Sequence, residues 1–593
     1  MAASEKSDQP QTPPSAEQED HPKSAGDGLP AHHQILSAAE AAAEDAVHIK
    51  LSWRSWVVVA ITCFAVVSQV YVVTAAGSVI SFIIRDMGQS ALAGWIIQAP
   101  LLMQAVLSPV LGRLSDVLER KYIAAGLPLI ACAGAILSAK ATSMDMLVGG
   151  GILIGTTLST ISIVQAIPSE ILPLKYRPIA QGFCGMGGTI GGLIGHLSAG
   201  AVTDTGPSGW RWIFWIQAIF HGCTSLGFLL FYWPPTNRDF PKMSLKEYIW
   251  VCDPIGSLMF MAGSALTLLG MNWAGGAYAW QDAHVVAPLT IGLVLLVLFG
   301  LYEWKGRDDG LVAHVFFKNN ANFVYSTFAF AVEGWIFYSA VNSIVPQIVL
   351  RLGFEDNSWD ISVRQLSFQC VMLILPIIIS GYASYFKDLK NPLLFTFIVF
   401  LAVTIFYACV KPSFDKAQIA INVLMGIGQA GPLTLLPAAI QYTSPHAFLS
   451  TATGLAFSAR AIGGAFGSAV LDAIVQGHIT ANFNSAIETA AVGAGLPESS
   501  VPALLAALAK GVRDGVEGAT DEVWRAATKA SQNEYAHAYR LAWASIIPFV
   551  VIAIVAIWLM KGVKELMTEK VEATVEHVSS DEERPKKKLN FHL

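Results

Sequence analysis

The sequence predicts an all-α membrane protein: fourteen transmembrane helices in two six-helix bundles, with two helices inserted between them. Three observations lead there. Of 593 residues, 54% are hydrophobic and only 13% charged, about half the ~25% charged fraction of soluble globular chains. Fourteen apolar stretches approach the ~20 residues that a helix needs to cross a bilayer. One glycine-rich stretch also recurs, 182–195 matching 454–467 at a constant offset of 272. The formal net charge of −6 leaves no bulk electrostatic basis for a nucleic-acid partner. The partners expected are the lipid bilayer and a small organic molecule, with the chain working as a monomer.

Residues 1–50 are rich in Pro, Gln, Glu, Ser and Ala and hold no long apolar run. They predict a disordered cytosolic tail with no signal peptide. The first bundle, 51–233, carries apolar segments at 56–84, 93–112, 122–140, 146–167, 180–203 and 211–233. Residues 234–322 hold the inserted segments, 254–274 and 284–302. The second bundle, 323–562, holds 323–348, 365–386, 392–410, 417–440, 449–475 and 541–561. Each segment must be helical, because lipid offers no partner to an open backbone. The long stretch 476–540 has apolar residues at Val501, Leu504, Leu505 and Leu508. That spacing predicts an amphipathic helix, lying on the membrane or capping the mouth. Residues 563–593 form a second cytosolic tail, with Asp581, Glu582 and Glu583 ahead of Lys586, Lys587 and Lys588.

Lys and Arg in short loops set the orientation. With the N-terminus inside, the inner loops hold thirteen: Arg113, Arg120, Lys121, Lys175, Arg177, Arg238, Lys242, Lys246, Lys305, Arg307, Lys318, Lys387 and Lys390. The outer loops hold seven: Arg85, Lys140, Arg211, Arg351, Arg364, Lys411 and Lys416. Both tails are then cytosolic and 476–540 extracytoplasmic. The seven cysteines lie mostly in apolar stretches and form no C-x-x-C. They predict neither a disulfide framework nor a metal site.

In the repeat, Gly182, Ile190, Gly191, Gly192 and Gly195 match Gly454, Ile462, Gly463, Gly464 and Gly467. With Gly188, these glycines are candidates for close helix packing, since small residues let backbones approach. The loop after the second segment reads Gly112-Arg113-Leu114-Ser115-Asp116-Val117-Leu118-Glu119-Arg120-Lys121. An acid flanked by bases at a tight cytosolic turn can latch two rocking bundles. Gly112, Arg113, Asp116, Arg120 and Lys121 are the candidate gating residues. The loop resembles the signature loop of the major facilitator superfamily (MFS), departing from it at Val117 and Glu119.

Further stretches narrow the resemblance. They are Trp210-Arg211-Trp212-Ile213-Phe214, residues 167–182 (IPSEILPLKYRPIAQG), 231–236 (FYWPPT), Asp253-Pro254-Ile255-Gly256 and 270–280 (GMNWAGGAYAW). Together they resemble the fungal trichothecene efflux pump family, a fourteen-span branch of that superfamily, over about 50–562. The resemblance implies the MFS fold and export of sesquiterpenoid mycotoxins or related compounds. It also implies a cavity lined by helices 1, 4, 9 and 12.

A charge inside a span is costly and is a functional candidate by default. Glu333 sits inside the ninth segment and could carry a proton once per cycle, or lock helices together. Arg460, inside the thirteenth, could pair with a carboxylate, hold a substrate oxygen or bond backbone carbonyls. Asp472, near the outer end of the same segment, is expected in solvent. Around them, Gln69, Tyr71, Thr74, Thr156, Thr157, Thr160, Gln165, Asn342, Asn422, Gln429 and Thr434 would form an uncharged polar wall. Among these Gln69, Gln165, Asn342, Asn422 and Gln429 join Glu333 and Arg460 as candidates for the substrate or proton pathway. Such a wall suits a bulky, oxygenated, largely neutral solute. His196 and His221 are expected to pack between helices.

No Walker loop, Cys/His cluster or nucleophile elbow is present in the sequence. This argues against ATP-driven transport, a metal centre and an enzyme. The expected function is proton-driven export of a fungal secondary metabolite or toxic compound at the plasma membrane, or at a vacuolar or vesicle membrane. No cofactor beyond the proton gradient is required. Two other readings are uptake of an iron–siderophore complex by the same fold, and a non-transporting membrane sensor.

Overall fold

The computed structural model describes residues 53–87, 94–203, 206, 208–234, 243–274, 278–318, 320–355, 358–510 and 516–572. The N-terminal tail, residues 573–593 of the C-terminal tail, Arg238, Lys242 and residues 275–277 lie outside the described residues.

Among the described residues fourteen long helices follow one another. The first bundle comprises α1 (Trp53–Met87), α2 (Trp95–Val117), α3 (Arg120–Ala139), α4 (Met144–Ile171), α5 (Arg177–Thr203) and α6 (Arg211–Phe231). The insertion is α7 (Pro254–Trp273) and α8 (Ala283–Lys305). The second bundle comprises α9 (Asn322–Arg351), α10 (Ser358–Phe386), α11 (Lys390–Tyr407), α12 (Asp415–Tyr442), α13 (Leu449–Gly493) and α14 (Asp521–Leu559). Thirteen are long and apolar enough to cross a membrane by composition alone. The fourteenth, α5, is 27 residues long, and its glycines dilute its hydropathy. It packs between α1 and α10 in the middle of the molecule. The protein is all-helical and multi-pass, with the architecture the sequence predicts.

The bundles meet along two seams, α2 against α13 and α5 against α10. The 272-residue repeat generates both. Gly182 of α5 is pressed against Ser380 of α10, and Gly454 of α13 against Ser108 of α2. Each pair maps onto the other when 272 is added. The inserted α7 and α8 pack on each other, and α7 leans on α2 and α13. Only 17% of the α8 window is buried, so that helix is the one most given over to lipid.

Three elements differ from the sequence reading. Helix α4 breaks into Met144–Ser159 and Ile161–Ile171 at Thr160. Helix α9 is α-helical to Gly334, π-helical over Trp335–Ile344, and α-helical again over Val345–Arg351. The stretch 476–540 is largely continuation of α13 and α14 beyond the bilayer. The expected amphipathic helix forms at Val501–Lys510. It docks Val501, Leu504 and Ala507 onto Ile487 and Ala491 of α13 and Val523, Trp524 and Ala527 of α14. Its apolar face is therefore buried against protein and does not lie on the membrane.

Candidate functional site

Two charged residues in apolar helices meet. Glu333 is eleven residues from the start of α9 at Asn322, and Arg460 eleven from the start of α13 at Leu449. At 1.5 Å per residue both lie ~16 Å in, half the ~30 Å hydrocarbon core. The Arg460 guanidinium donates Nε to Glu333 Oε2 at 2.5 Å and Nη2 to Oε1 at 2.9 Å. The Gln429 amide of α12 donates to the same Oε1. Arg460 Nη1 donates to the Tyr338 hydroxyl at 2.7 Å, and Tyr338 lies beside Gln104 of α2. Phe330, Phe337 and Tyr338 place ring faces 4.7–5.4 Å from the guanidinium carbon. The result is a buried, bidentate pair whose tyrosine partner stands beside Gln104 of the opposite bundle.

Glycines make this approach possible. A Cβ at Gly463 would stand 2.1 Å from the Ala331 carbonyl oxygen, and one at Gly467 2.1 Å from the Trp335 ring. A Cβ at Gly334 would meet the Arg460 carbonyl at 2.0 Å. Gly464 admits the Tyr338 ring in the same way. On α5, Gly191 and Gly195 admit α1 at Val67 and Thr74, and Gly182 admits α10. Gly188 and Gly192 are exceptions among the candidates. A Cβ at Gly188 would meet the Val70 side chain at 3.3 Å and that of Val66 at 3.6 Å but no backbone, and one at Gly192 finds ordinary contacts at 3.8–3.9 Å. Gly192 is not required for close packing.

The remaining pathway candidates separate. Gln69 donates to the Thr157 carbonyl at 2.8 Å and the Thr160 hydroxyl at 2.9 Å, bracing the break in α4. Asn422 joins Gln418, Tyr407 and Arg364 in a network that reaches Glu355 and Asp415, toward the outer ends of α10 and α12. Gln165 lies near the cytosolic end of α4, where its carbonyl accepts from Gln181 and Gln441. Asn342 is exposed and makes no hydrogen bond to Glu333. Tyr71 bonds Ser198. Much of the expected polar wall thus holds helices together. His221 is fully buried in α6, as a packing residue would be. Asp472 is exposed on α13.

The loop after α2 closes the side of the molecule that the Lys and Arg bias of the loops assigns to the cytosol. Helix α13 has no side-chain cap of its own at Phe448. Asp116 supplies one from the other bundle. Its carboxylate accepts from the backbone N–H of Ser450 at 3.1 Å and of Thr451 at 2.8 Å, and from the Thr451 hydroxyl at 2.7 Å. An anion at a helix N-terminus also meets a favourable dipole. Gly112 permits the contact, since a Cβ there would stand 2.4 Å from the Ser450 carbonyl oxygen. Arg120 donates to Asp116 at 2.8 Å and pairs with Glu170. Two of the expected gating bases act elsewhere. Arg113 is fully buried and donates to the carbonyls of Val251 and Asp309, anchoring the inserted helices. Lys121 lies over the Trp233 ring. The Arg307 guanidinium beside Asp309 is held above its ordinary pKa.

A strap that sequence reasoning missed completes the closure. Residues 563–572 leave the end of α14 and cross to the α4–α5 loop. Leu174 N–H donates to the Lys570 carbonyl and Lys175 N–H to that of Thr568, both at 2.8 Å. Lys175 pairs with Glu569 at 3.0 Å and Arg177 pairs with Glu572. The Glu569 carboxylate raises the Lys175 ammonium pKa through their hydrogen bond. Met567 and Val571 are buried beneath.

Comparison with known proteins bears on the family and the fold. A profile of the fungal trichothecene efflux pump family matches residues 27–587. The chain is 26% identical to the MFS-type transporter prx5 of Penicillium rubens over 449 residues, covering 75% of this chain and 81% of that protein. It is 23% identical to the trichothecene efflux pump TRI12 of Fusarium sporotrichioides over 525 residues, covering 85% and 86%. In fold it is similar to the proton:xylose symporter XylE, with a TM-score of 0.53 at 11% identity over 86% of this chain and 98% of that one.

Proposed function

The chain belongs to the fungal trichothecene efflux pump family of MFS transporters, and from that premise we propose that it exports a neutral, oxygenated secondary metabolite or toxic organic compound, trichothecene-like in class, in exchange for protons. The membrane proposed is the plasma membrane. The observation that carries the coupling is the Glu333–Arg460 pair at mid-membrane, whose partner Tyr338 stands beside Gln104 of the facing bundle. A carboxylate held by an arginine is ionised. Proton arrival neutralises it, frees the guanidinium and weakens a tie between α9 and α13. Proton loss on the other side restores the tie. That alternation gives the proton differential contacts in the two states, as coupling requires. The driving force is ample, since one elementary charge crossing 100 mV is worth ~2.3 kcal/mol and one pH unit adds ~1.4 kcal/mol. Gln429, whose Oε1 is buried without a protein partner, sits where a hydroxylated solute could bond beside the pair.

The test is accumulation of a radiolabelled trichothecene in cells with and without the gene, repeated with a proton uncoupler. Lower accumulation in cells carrying the gene, abolished by the uncoupler, is expected. Equal accumulation with and without the gene, for trichothecenes and for other neutral terpenoid toxins, overturns the reading.

A further inference from the structure

On the side opposite the Asp116 latch, a cavity of about 720 Å³ lies between the α11–α12 connection and the outer part of α14. Its walls include Lys411, Arg525, Lys529 and Arg540 and no carboxylate. On α14 the three cations stand at 525, 529 and 540, with Gln532, Asn533 and Ala536 between them on the same face. Arg525 and Lys529 are a like-charge i,i+4 pair, which by itself destabilises a helix.

Of the nearby acids, Asp415 is held by Arg364 at 2.5 Å and Glu534 by His478 at 2.9 Å, while Asp521 and Glu522, one turn before Arg525, do not line the cavity. Arg525 and Arg540 donate only to backbone carbonyls of their own helix, those of Asp521 and Ala536. Among the described residues none of the four cations has a carboxylate partner. Ser413, Thr528, Gln532 and Asn533 add neutral donors to the same walls. Arg540 immediately precedes the apolar run 541–559, so the inner end of the cavity stands at headgroup level and the outer end in water.

We propose that this cavity is an anion site that takes a multiply charged phosphate group, distinct from the mid-membrane pair. Arg forks and Lys point charges are the side chains that bind phosphate oxygens. A singly charged carboxylate would leave most of the cluster uncompensated. The volume falls within the 300–1,000 Å³ range of small-molecule sites. The phosphate can come from an anionic lipid headgroup entering at Lys411 and Arg540, or from a soluble phosphorylated molecule entering past Arg525.

The test uses the full-length protein in nanodiscs. In phosphatidylcholine discs, inorganic pyrophosphate is titrated and the thermal unfolding midpoint recorded. In a second arm, phosphatidylcholine is replaced stepwise by phosphatidic acid, whose phosphomonoester is multiply charged, without pyrophosphate. The variants are K411Q/R525Q/K529Q/R540Q and the charge-preserving R525K/R540K. A saturable rise of the midpoint in the wild type is expected. It should weaken about tenfold or more in affinity in the quadruple variant, a step worth ~1.4 kcal/mol, and persist in the charge-preserving one. A response confined to pyrophosphate assigns the soluble source, and one confined to phosphatidic acid the headgroup. An identical response in wild type and quadruple variant, or no response in either arm, overturns the proposal.

Discussion

Glu333 and Arg460 were legible as single residues because a charge in a twenty-residue apolar run has no cheap explanation. In the structure, equal distances from their helix starts, eleven residues each, place them at one depth. That they bond each other was not legible, since pairing depends on which helices are neighbours. Tyr338 and Gln104 were missed for a different reason. Tyr338 is five residues beyond Glu333, off its face in an α-helix, and only the π-helical turn beginning at Trp335 brings it alongside. Gln104 lies on α2, outside the expected lining helices. The pair yields the first prediction. Glu333→Gln leaves a buried guanidinium without its counter-charge, a defect that typically costs 3–5 kcal/mol. Transport should stop and the unfolding midpoint in nanodiscs should fall. Glu333→Gln/Arg460→Gln removes both charges and should recover most of the midpoint without recovering transport. A double variant that still drives uncoupler-sensitive efflux would remove the pair from the mechanism.

At the scale of elements, the glycine repeat announced close helix contacts but could not say which glycine faces which helix. Gly463 must stay small, because its Cβ would meet a backbone oxygen at 2.1 Å, whereas Gly192 has ordinary room. Gly463→Ala should therefore cost ~1–3 kcal/mol, as overpacking does. It should also lower transport by shifting α9 and the site it carries. Gly192→Ala should leave both within about 0.5 kcal/mol and measurement error respectively. Unfolding midpoints and efflux rates of the two variants, side by side, check this. The loop after α2 was legible as a latch, but its chemistry was not. A sequence shows an acid between bases and suggests an ion pair, while the structure uses the acid as a helix cap in trans. Asp116→Asn keeps one acceptor oxygen but loses the charge on the α13 N-terminus and the pairing with Arg120. The closed state should lose roughly 1–3 kcal/mol. Spin labels at Glu119 and Asn391, both exposed on the cytosolic side, should then report a longer mean distance. An unchanged distance distribution would show that the cap does not hold the bundles together.

Across the whole molecule, the duplication is structurally faithful and chemically unequal. Gly191 rests on Val67 of α1 and Gly463 on Ala331 of α9, so α1 maps onto α9 with an offset of 264 (331 minus 67). That offset carries Gln69 onto Glu333. Both reach the fourth helix of their own bundle, Gln69 at Thr157 and Thr160, Glu333 at Gln429. At this position the first bundle thus uses a neutral amide where the second uses a carboxylate paired with arginine. The cytosolic closure is likewise one-sided. By the 272 offset Asp116 maps onto Asp388, yet Asp388 caps its own α11 at Lys390 and Asn391 and reaches for no other bundle. The second seam is held by the strap, whose Glu569 and Glu572 meet Lys175 and Arg177. No motif marks that strap, because its two main-chain bonds are indifferent to side-chain identity and its acids read as part of a solvated tail. Ending the chain after Gly562 removes both main-chain bonds and both ion pairs while sparing every membrane helix. Each main-chain bond is worth ~1 kcal/mol net and each partly exposed pair less. The closed state should therefore weaken by about 1–3 kcal/mol, a 5- to 150-fold shift in the balance between the states. The Glu119–Asn391 label pair should lengthen as it does in Asp116→Asn, and combining the two changes should add, since they act on different seams. If the truncated protein keeps the wild-type distance, the strap is a passenger and the α2–α13 seam alone sets the cytosolic closure.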